Sequence, residues 1–159
     1  MSQKSLTGWL KAIILITATL SLLAFLCILF VIGPDMVNNY PEFSNRYLPW
    51  VIFITIIFIP YFIALGLSWP VTLSIENKTV FSIKNAKIFK SVSALAIIDS
   101  CIVLIGNTML LLLNMSHPSV FLALNIVVFV GIAAAVVCAI ISHLLVKAAH
   151  LKEQSDLTI

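Results

Sequence analysis

Four apolar runs, each long enough to cross a bilayer as a helix and each poor in charge, constrain this chain more than any other feature. They cover residues 12–32, 48–69, 91–113 and 119–146. A helix of about twenty residues rises roughly 30 Å, the thickness of the hydrocarbon core. Hydrophobic residues make up 62% of the 159 and charged residues only 9%, against roughly 25% charged in an ordinary soluble domain. So small a fold cannot hide that much apolar surface from water. Hydrocarbon accepts it, and a helix satisfies its own backbone there. The expected fold class is all-α: a four-transmembrane-helix bundle in a single membrane domain over residues 1–159.

Charge gives the orientation. Lys4 and Lys11 precede the first run, Lys78, Lys84, Lys87 and Lys90 lie between the second and third, and Lys147 and Lys152 follow the fourth. Only Arg46 falls on the other side. Short loops rich in Lys and Arg stay cytoplasmic during insertion, so both termini, loop 70–90 and tail 147–159 are expected in the cytoplasm. Trp9 and Trp69 at one boundary, and Tyr47 and Trp50 at the other, sit where amphipathic rings prefer to lie. The net charge of +3 is juxtamembrane. It therefore points to anionic inner-leaflet lipid, at about 1 kcal/mol for each of Lys84, Lys87 and Lys90 near the surface. Direct nucleic-acid binding is not expected. The first run exceeds a signal peptide's apolar stretch and lacks a small-x-small cleavage site, so it reads as an anchor.

Turn chemistry marks the boundaries. Gly33-Pro34 should end the first span, Pro60 should kink the second, and Pro70 should end it or bend it into a short extension. Ser82 is placed to cap a helix starting near Ile83. Residues 114–118 form a short uncharged turn, which makes the third and fourth spans antiparallel neighbours.

Chemistry has few candidates. Asp99 is the only ionisable side chain deep inside a span, about 12 Å from its inner boundary at ~1.5 Å per residue. A charge there costs at least about 2.5–3.5 kcal/mol, and such residues face a bundle interior or cavity. Tyr61, Thr19 and Ser21 lie at comparable depth, so a polar pocket around Asp99 is expected. The pocket reads as a structural hydrogen bond between helices, or as a ligand, proton or transport site. Asn107 and Asn125 stand symmetrically about the short turn and are expected to pair across the helices. Gly131, Ala135 and Ala139 repeat every four residues, a small-residue stripe for close helix packing, with dimerisation as the alternative.

His143 and His150 are seven apart, about 10 Å along a helix, too far to share one metal ion. His117 has no evident partner. Cys27, Cys101 and Cys138 show no ligand spacing, and no nucleophile–base pair or phosphate loop appears. Neither cofactor nor metal is expected, nor an enzyme.

Several short stretches recur in a known family. They are Tyr40-Pro41-Glu42-Phe43, then Ile59-Pro60-Tyr61-Phe62-Ile63-Ala64-Leu65, then Asn77-Lys78 with Phe81-Ser82, and finally the tail from Leu151 to Ile159. In these the chain resembles small bacterial four-span membrane proteins catalogued only as a domain of unknown function, and the likeness covers nearly all of it. Asp99 lies outside that pattern, so the likeness lends its pocket no family-wide role. Members are often encoded beside a Cro/CI-type helix-turn-helix regulator. The resemblance therefore implies a bacterial cytoplasmic-membrane protein that restrains or releases such a regulator. Asp156, Leu157, Thr158 and Ile159 would then be docking residues. A small transporter or lipid-binding protein using Asp99, and an accessory or immunity subunit of a membrane complex, are the other expectations. The oligomeric state is not legible.

Overall fold

The computed structural model describes residues 3–77 and 79–156, and among these there is no strand. Four helical rods are long and apolar enough to span a membrane, so the chain is an all-α, multi-pass membrane protein. Helix α1 (Gln3–Cys27) runs into a π-helical turn (Ile28–Ile32) and then α2 (Gly33–Asn39). A 3-10 turn (Pro41–Phe43) leads to α3 (Ser44–Glu76), and α4 (Ile83–Leu112) and α5 (Pro118–Asp156) complete the fold.

Gly33-Pro34 does not stop the first rod. Pro34 has no N–H, and its ring would crowd the carbonyl four residues back. The π turn absorbs this by widening the helix, with the Gly33 N–H reaching back five residues to the Ile28 carbonyl. The second rod likewise continues through Pro49, Pro60 and Pro70 to Glu76. Around Pro70, the hydroxyls of Ser68, Thr72 and Ser74 bond to the carbonyls of Ala64, Trp69 and Pro70. Among the described residues of the expected 70–90 loop, only 77 and 79–82 lie outside helices.

Helices α4 and α5 form the tightest pair, α3 packs on α4, and α1 packs on α3. The four rods thus stand in a row, and among the described residues α1 and α5 at its ends share no extensive interface. The α4–α5 hairpin turns at Asn114, the one non-glycine residue with positive φ (55°) among those described. Asparagine tolerates that left-handed conformation. The Met115 N–H returns to the Leu110 carbonyl at 2.8 Å and that of Asn114 to Leu111 at 3.0 Å, closing the α4 C-terminus in a Schellman arrangement.

Both α4 interfaces keep a seven-residue register. Toward α5, the Ser142 hydroxyl donates to the Ala86 carbonyl (2.7 Å), Ser93 donates to Ala135 (2.8 Å), and the Asn107 amide donates to Phe121 (3.0 Å). Ser100 completes the series by packing against Gly131. A repeat of seven is the mark of left-handed, knobs-into-holes packing. Toward α3, Phe53 fills the space beside Gly106, and Ser74 bonds to Asn85 at 2.9 Å. That register puts Pro60 level with Asp99.

Candidate functional site

Asp99 faces the α3–α4 interface at mid-membrane depth. It is half-buried, and its Oδ1 is buried without a hydrogen-bond partner. Level with it, Pro60 is buried and lacks the N–H that would otherwise bond the Ile56 carbonyl. The expected company is elsewhere. Thr19 is exposed and donates to the Leu15 carbonyl of its own helix, and Ser21 donates to Thr17 and Ala18. Short hydroxyl side chains reach the carbonyl a turn back more easily than they span a helix gap. Tyr61 belongs to an aromatic cluster with Phe58 and Phe62, and Phe58 in turn meets Phe25 of α1 at 4.7 Å. No hydrogen bond among the described residues joins Asp99 to Tyr61, Thr19 or Ser21.

The two asparagines meet at a carbonyl rather than at each other. Asn107 Nδ2 donates to the Phe121 carbonyl from across the hairpin, and Asn125 Nδ2 donates to the same oxygen from one turn along α5 (2.8 Å). Asn107 is wholly buried, with its Oδ1 unpartnered. The small-residue stripe also shifts. Ala135 is buried at the seam and Gly131 lies beside Ser100, but Ala139 is exposed. A seam that recurs every three and four residues drifts off a strict four-residue stripe, so Cys138, Ser142 and Leu145 continue it instead.

A pocket that sequence reasoning missed lies at the Arg46 end. The π turn leaves the Leu29 carbonyl accessible, and the Tyr47 hydroxyl donates to it at 2.9 Å. The Tyr47 ring presses so closely on α2 that a side chain at Gly33 would collide with it. One turn along, Trp50 Nε1 donates to the Met115 carbonyl at 2.9 Å, tying α3 to the hairpin turn. Between these two fixed rings opens a cleft of about 530 Å³, lined by the π turn, α2, α3 and residues 115–120. Its walls are apolar apart from Arg46, Ser116 and His117, and the Ser116 hydroxyl is buried without a partner. His117 proves to be a helix cap. Its Nδ1 accepts the Ser119 N–H at 3.2 Å and lies 2.8 Å from that residue's hydroxyl.

At the lysine-rich end, Asn85 is the organising residue. It is 1% exposed. Its Oδ1 accepts from Ser74, its Nδ2 donates to the carbonyls of Val80 (2.9 Å) and Thr79 (3.4 Å), and its N–H donates to the Ser82 cap. Lys11 of α1 pairs with Glu76 of α3 at 2.6 Å. Lys84, Lys87 and Lys90 are exposed on α4. Helix α5 overruns this end. The seam sets its Leu145 level with Ile83, the first residue of α4, yet α5 continues to Asp156. The overrun is about 11 residues, roughly 16 Å. It carries exposed Lys147, His150, Leu151, Lys152 and Glu153, with His150 Nδ1 3.9 Å from Glu153. Asp156 is its last helical residue, and Leu157, Thr158 and Ile159 lie outside the described residues.

The missed residues had signals. Ser93 and Ser100 stand at seven-residue spacing with the already identified Asn107 in an otherwise apolar run, and Asn85 follows the expected cap Ser82 at capping-box spacing. Comparison with known proteins adds a family. A model described as "Protein of unknown function (DUF2975)" matches residues 31–159, the α2, α3 and α4–α5 parts together with the cleft lining apart from Ile28. No curated protein and no solved structure matches.

Proposed function

Because the chain belongs to that family of unknown function, which fixes no activity, we propose a role from its own geometry: a non-enzymatic membrane protein that holds a cytoplasmic partner at the bilayer. The observation that carries this reading is the overrun of α5 beyond α4. A membrane hairpin needs no such length to span, since α4 at 30 residues already suffices. The surplus turns are charged and exposed, and they lie at the same end as the exposed lysines of α4. They form an arm on which a soluble protein can dock. The lysines of this end support a cytoplasmic orientation, which the proposal sets at a bacterial inner membrane. The proposed partner is a small helix-turn-helix regulator, which the bundle restrains or releases as its own state changes. Coupling of that kind requires two bundle states that differ in affinity for the partner.

The test is a mild-detergent pull-down from native membranes, tagged at the N-terminus, on the full chain and on a variant lacking residues 151–159. Recovery of a small DNA-binding protein by the full chain and its loss from the truncated one is the expected result. Retention that survives truncation would remove the arm from the mechanism. Recovery of membrane subunits alone would favour an accessory subunit.

A second reading, a small transporter using Asp99, draws on the unpartnered Oδ1 opposite Pro60. It requires Asp99→Asn to change proton-coupled flux in liposomes while assembly persists. Unchanged flux would end it.

A further inference from the structure

We propose that the cleft beside the α4–α5 turn binds one uncharged acyl ester lipid, of which a monoacylglycerol is the simplest. Its ester carbonyl accepts a hydrogen bond from Ser116, and its chain runs past Val51 toward Ile28 and Ile54. This goes beyond the docking arm, is carried by different residues at the opposite end of the molecule, and stands whether or not the arm has a partner.

An unspent donor is the starting point. The Ser116 hydroxyl is buried with no hydrogen-bond partner among the described residues, and Ser116 lines the cleft. A buried hydroxyl left unpaired is costly, so an acceptor brought to that wall recovers free energy that the protein alone forgoes. The next residue adds a second neutral donor to the lining. His117 Nδ1 accepts the Ser119 N–H, which leaves the ring proton on Nε2. Both residues precede α5 in the hairpin turn, so these donors stand at one end of the cleft. The other polar groups of the walls are engaged. Tyr47 and Trp50 donate to backbone carbonyls, and Arg46 already interacts within the protein.

Those donors select the ligand's chemistry. A carboxylate or phosphate head would have to draw Arg46 from the contacts it already makes, whereas a neutral carbonyl needs only a hydrogen bond. The remaining walls are apolar, Ile28, Val51 and Ile54 among them. They suit a hydrocarbon chain and not a sugar or a peptide, whose polar groups would need partners along the walls. About 530 Å³ falls within the roughly 300–1,000 Å³ typical of small-molecule sites. Depth agrees with this orientation. Tyr47 and Trp50 lie where hydrocarbon gives way to head groups, and Ile28 and Ile54 lie deeper along their rods. An ester lipid carries its carbonyl at that same junction.

The cleft is also held in shape. The bond from Tyr47 to the Leu29 carbonyl ties α3 to the π turn, and that from Trp50 to the Met115 carbonyl ties α3 to the hairpin. Turns of the π type recur at functional sites. A pocket fixed before binding loses little freedom on filling, which separates it from ordinary contact with bulk lipid.

Trp50 reports on its own cleft. The chain has three tryptophans, and Trp9→Phe with Trp69→Phe leaves Trp50 as the sole emitter. The full chain, reconstituted in phosphatidylcholine vesicles, is titrated separately with chain-brominated monoacylglycerol, its alkyl ether analogue, lysophosphatidylglycerol and phosphatidylcholine. The ether keeps the chain and the hydroxyls but lacks the carbonyl, and lysophosphatidylglycerol keeps the ester but adds a charge. Saturable quenching by the monoacylglycerol at low mole fraction is expected, with shallow, proportional quenching by phosphatidylcholine. The ether should bind about fivefold more weakly, as loss of one neutral hydrogen bond implies, and lysophosphatidylglycerol should also bind more weakly. Ser116→Ala should weaken the ester by the same factor and leave the ether unchanged, so that carbonyl and hydroxyl are read as a pair. Val51→Phe, which fills the cleft, should abolish the saturable phase, and Ser116→Ala remains readable if that variant does not fold. Proportional quenching by the monoacylglycerol, equal binding of ester and ether, ester binding untouched by Ser116→Ala, or lysophosphatidylglycerol binding as tightly as the monoacylglycerol would each overturn the proposal.

Discussion

Asn85 shows how much one side chain can hold. Its amide meets a hydroxyl of α3 and two carbonyls of the loop before α4 at once. Asn85→Ala removes those three side-chain bonds and leaves the backbone bond to Ser82, at a cost of about 0.5–1.5 kcal/mol for each bond lost. A lower midpoint of thermal unfolding in detergent, with faster proteolysis within 77–82, is the expected outcome. Unchanged values would mean that the loop closes without the amide. Asp99 gives the opposite expectation. Its Oδ1 has no hydrogen bond to lose, and a carboxyl in hydrocarbon is costly. Asp99→Leu should therefore leave thermal stability equal or higher, and a clear loss would reveal a bond that stabilises the α3–α4 contact.

At the scale of elements, spans and caps were legible in the sequence, whereas the packing surfaces were not. Length and charge gave the four rods, Ser82 gave the start of α4, and residues 114–118 gave the turn. Inside the membrane almost every position is apolar, so hydrophobic period no longer says which face is buried. Only small and polar residues carry that signal, and three of them, Ser93, Ser100 and Asn107, mark the seam. The four-residue reading of Gly131, Ala135 and Ala139 failed at Ala139 because the helices coil around each other at a repeat of seven. Gly33-Pro34 and Pro70 looked like helix ends because a proline's lost hydrogen bond is visible in sequence. The π turn that accommodates Pro34 depends on neighbouring turns and is far harder to read. The pocket around Asp99 was inferred from depth alone, and depth says nothing of the angle at which a hydroxyl leaves its helix.

The seam makes a paired prediction. Ala135→Leu, at a position 1% exposed, forces the hairpin apart at a cost of about 1–3 kcal/mol. Ala139→Leu, at an exposed position, should be nearly silent. Thermal unfolding of the two variants in one detergent decides between the registers. Equal destabilisation would restore the four-residue stripe.

For the whole molecule, one orientation underlies both ends. The α5 arm can meet a soluble partner only if the lysine-rich end is cytoplasmic, and the amphiphile cleft then faces the outer leaflet. The most direct measurement is thiol labelling in a background where Cys27, Cys101 and Cys138 are replaced by alanine. Single reporters, His150→Cys on the arm and Glu42→Cys beside the cleft, are exposed to a membrane-impermeant maleimide in intact and in opened cells. The account predicts that the Glu42→Cys reporter labels in intact cells and that the His150→Cys reporter labels only after opening. Labelling of the His150→Cys reporter in intact cells would put the arm outside and contradict the cytoplasmic docking on which the proposed function rests.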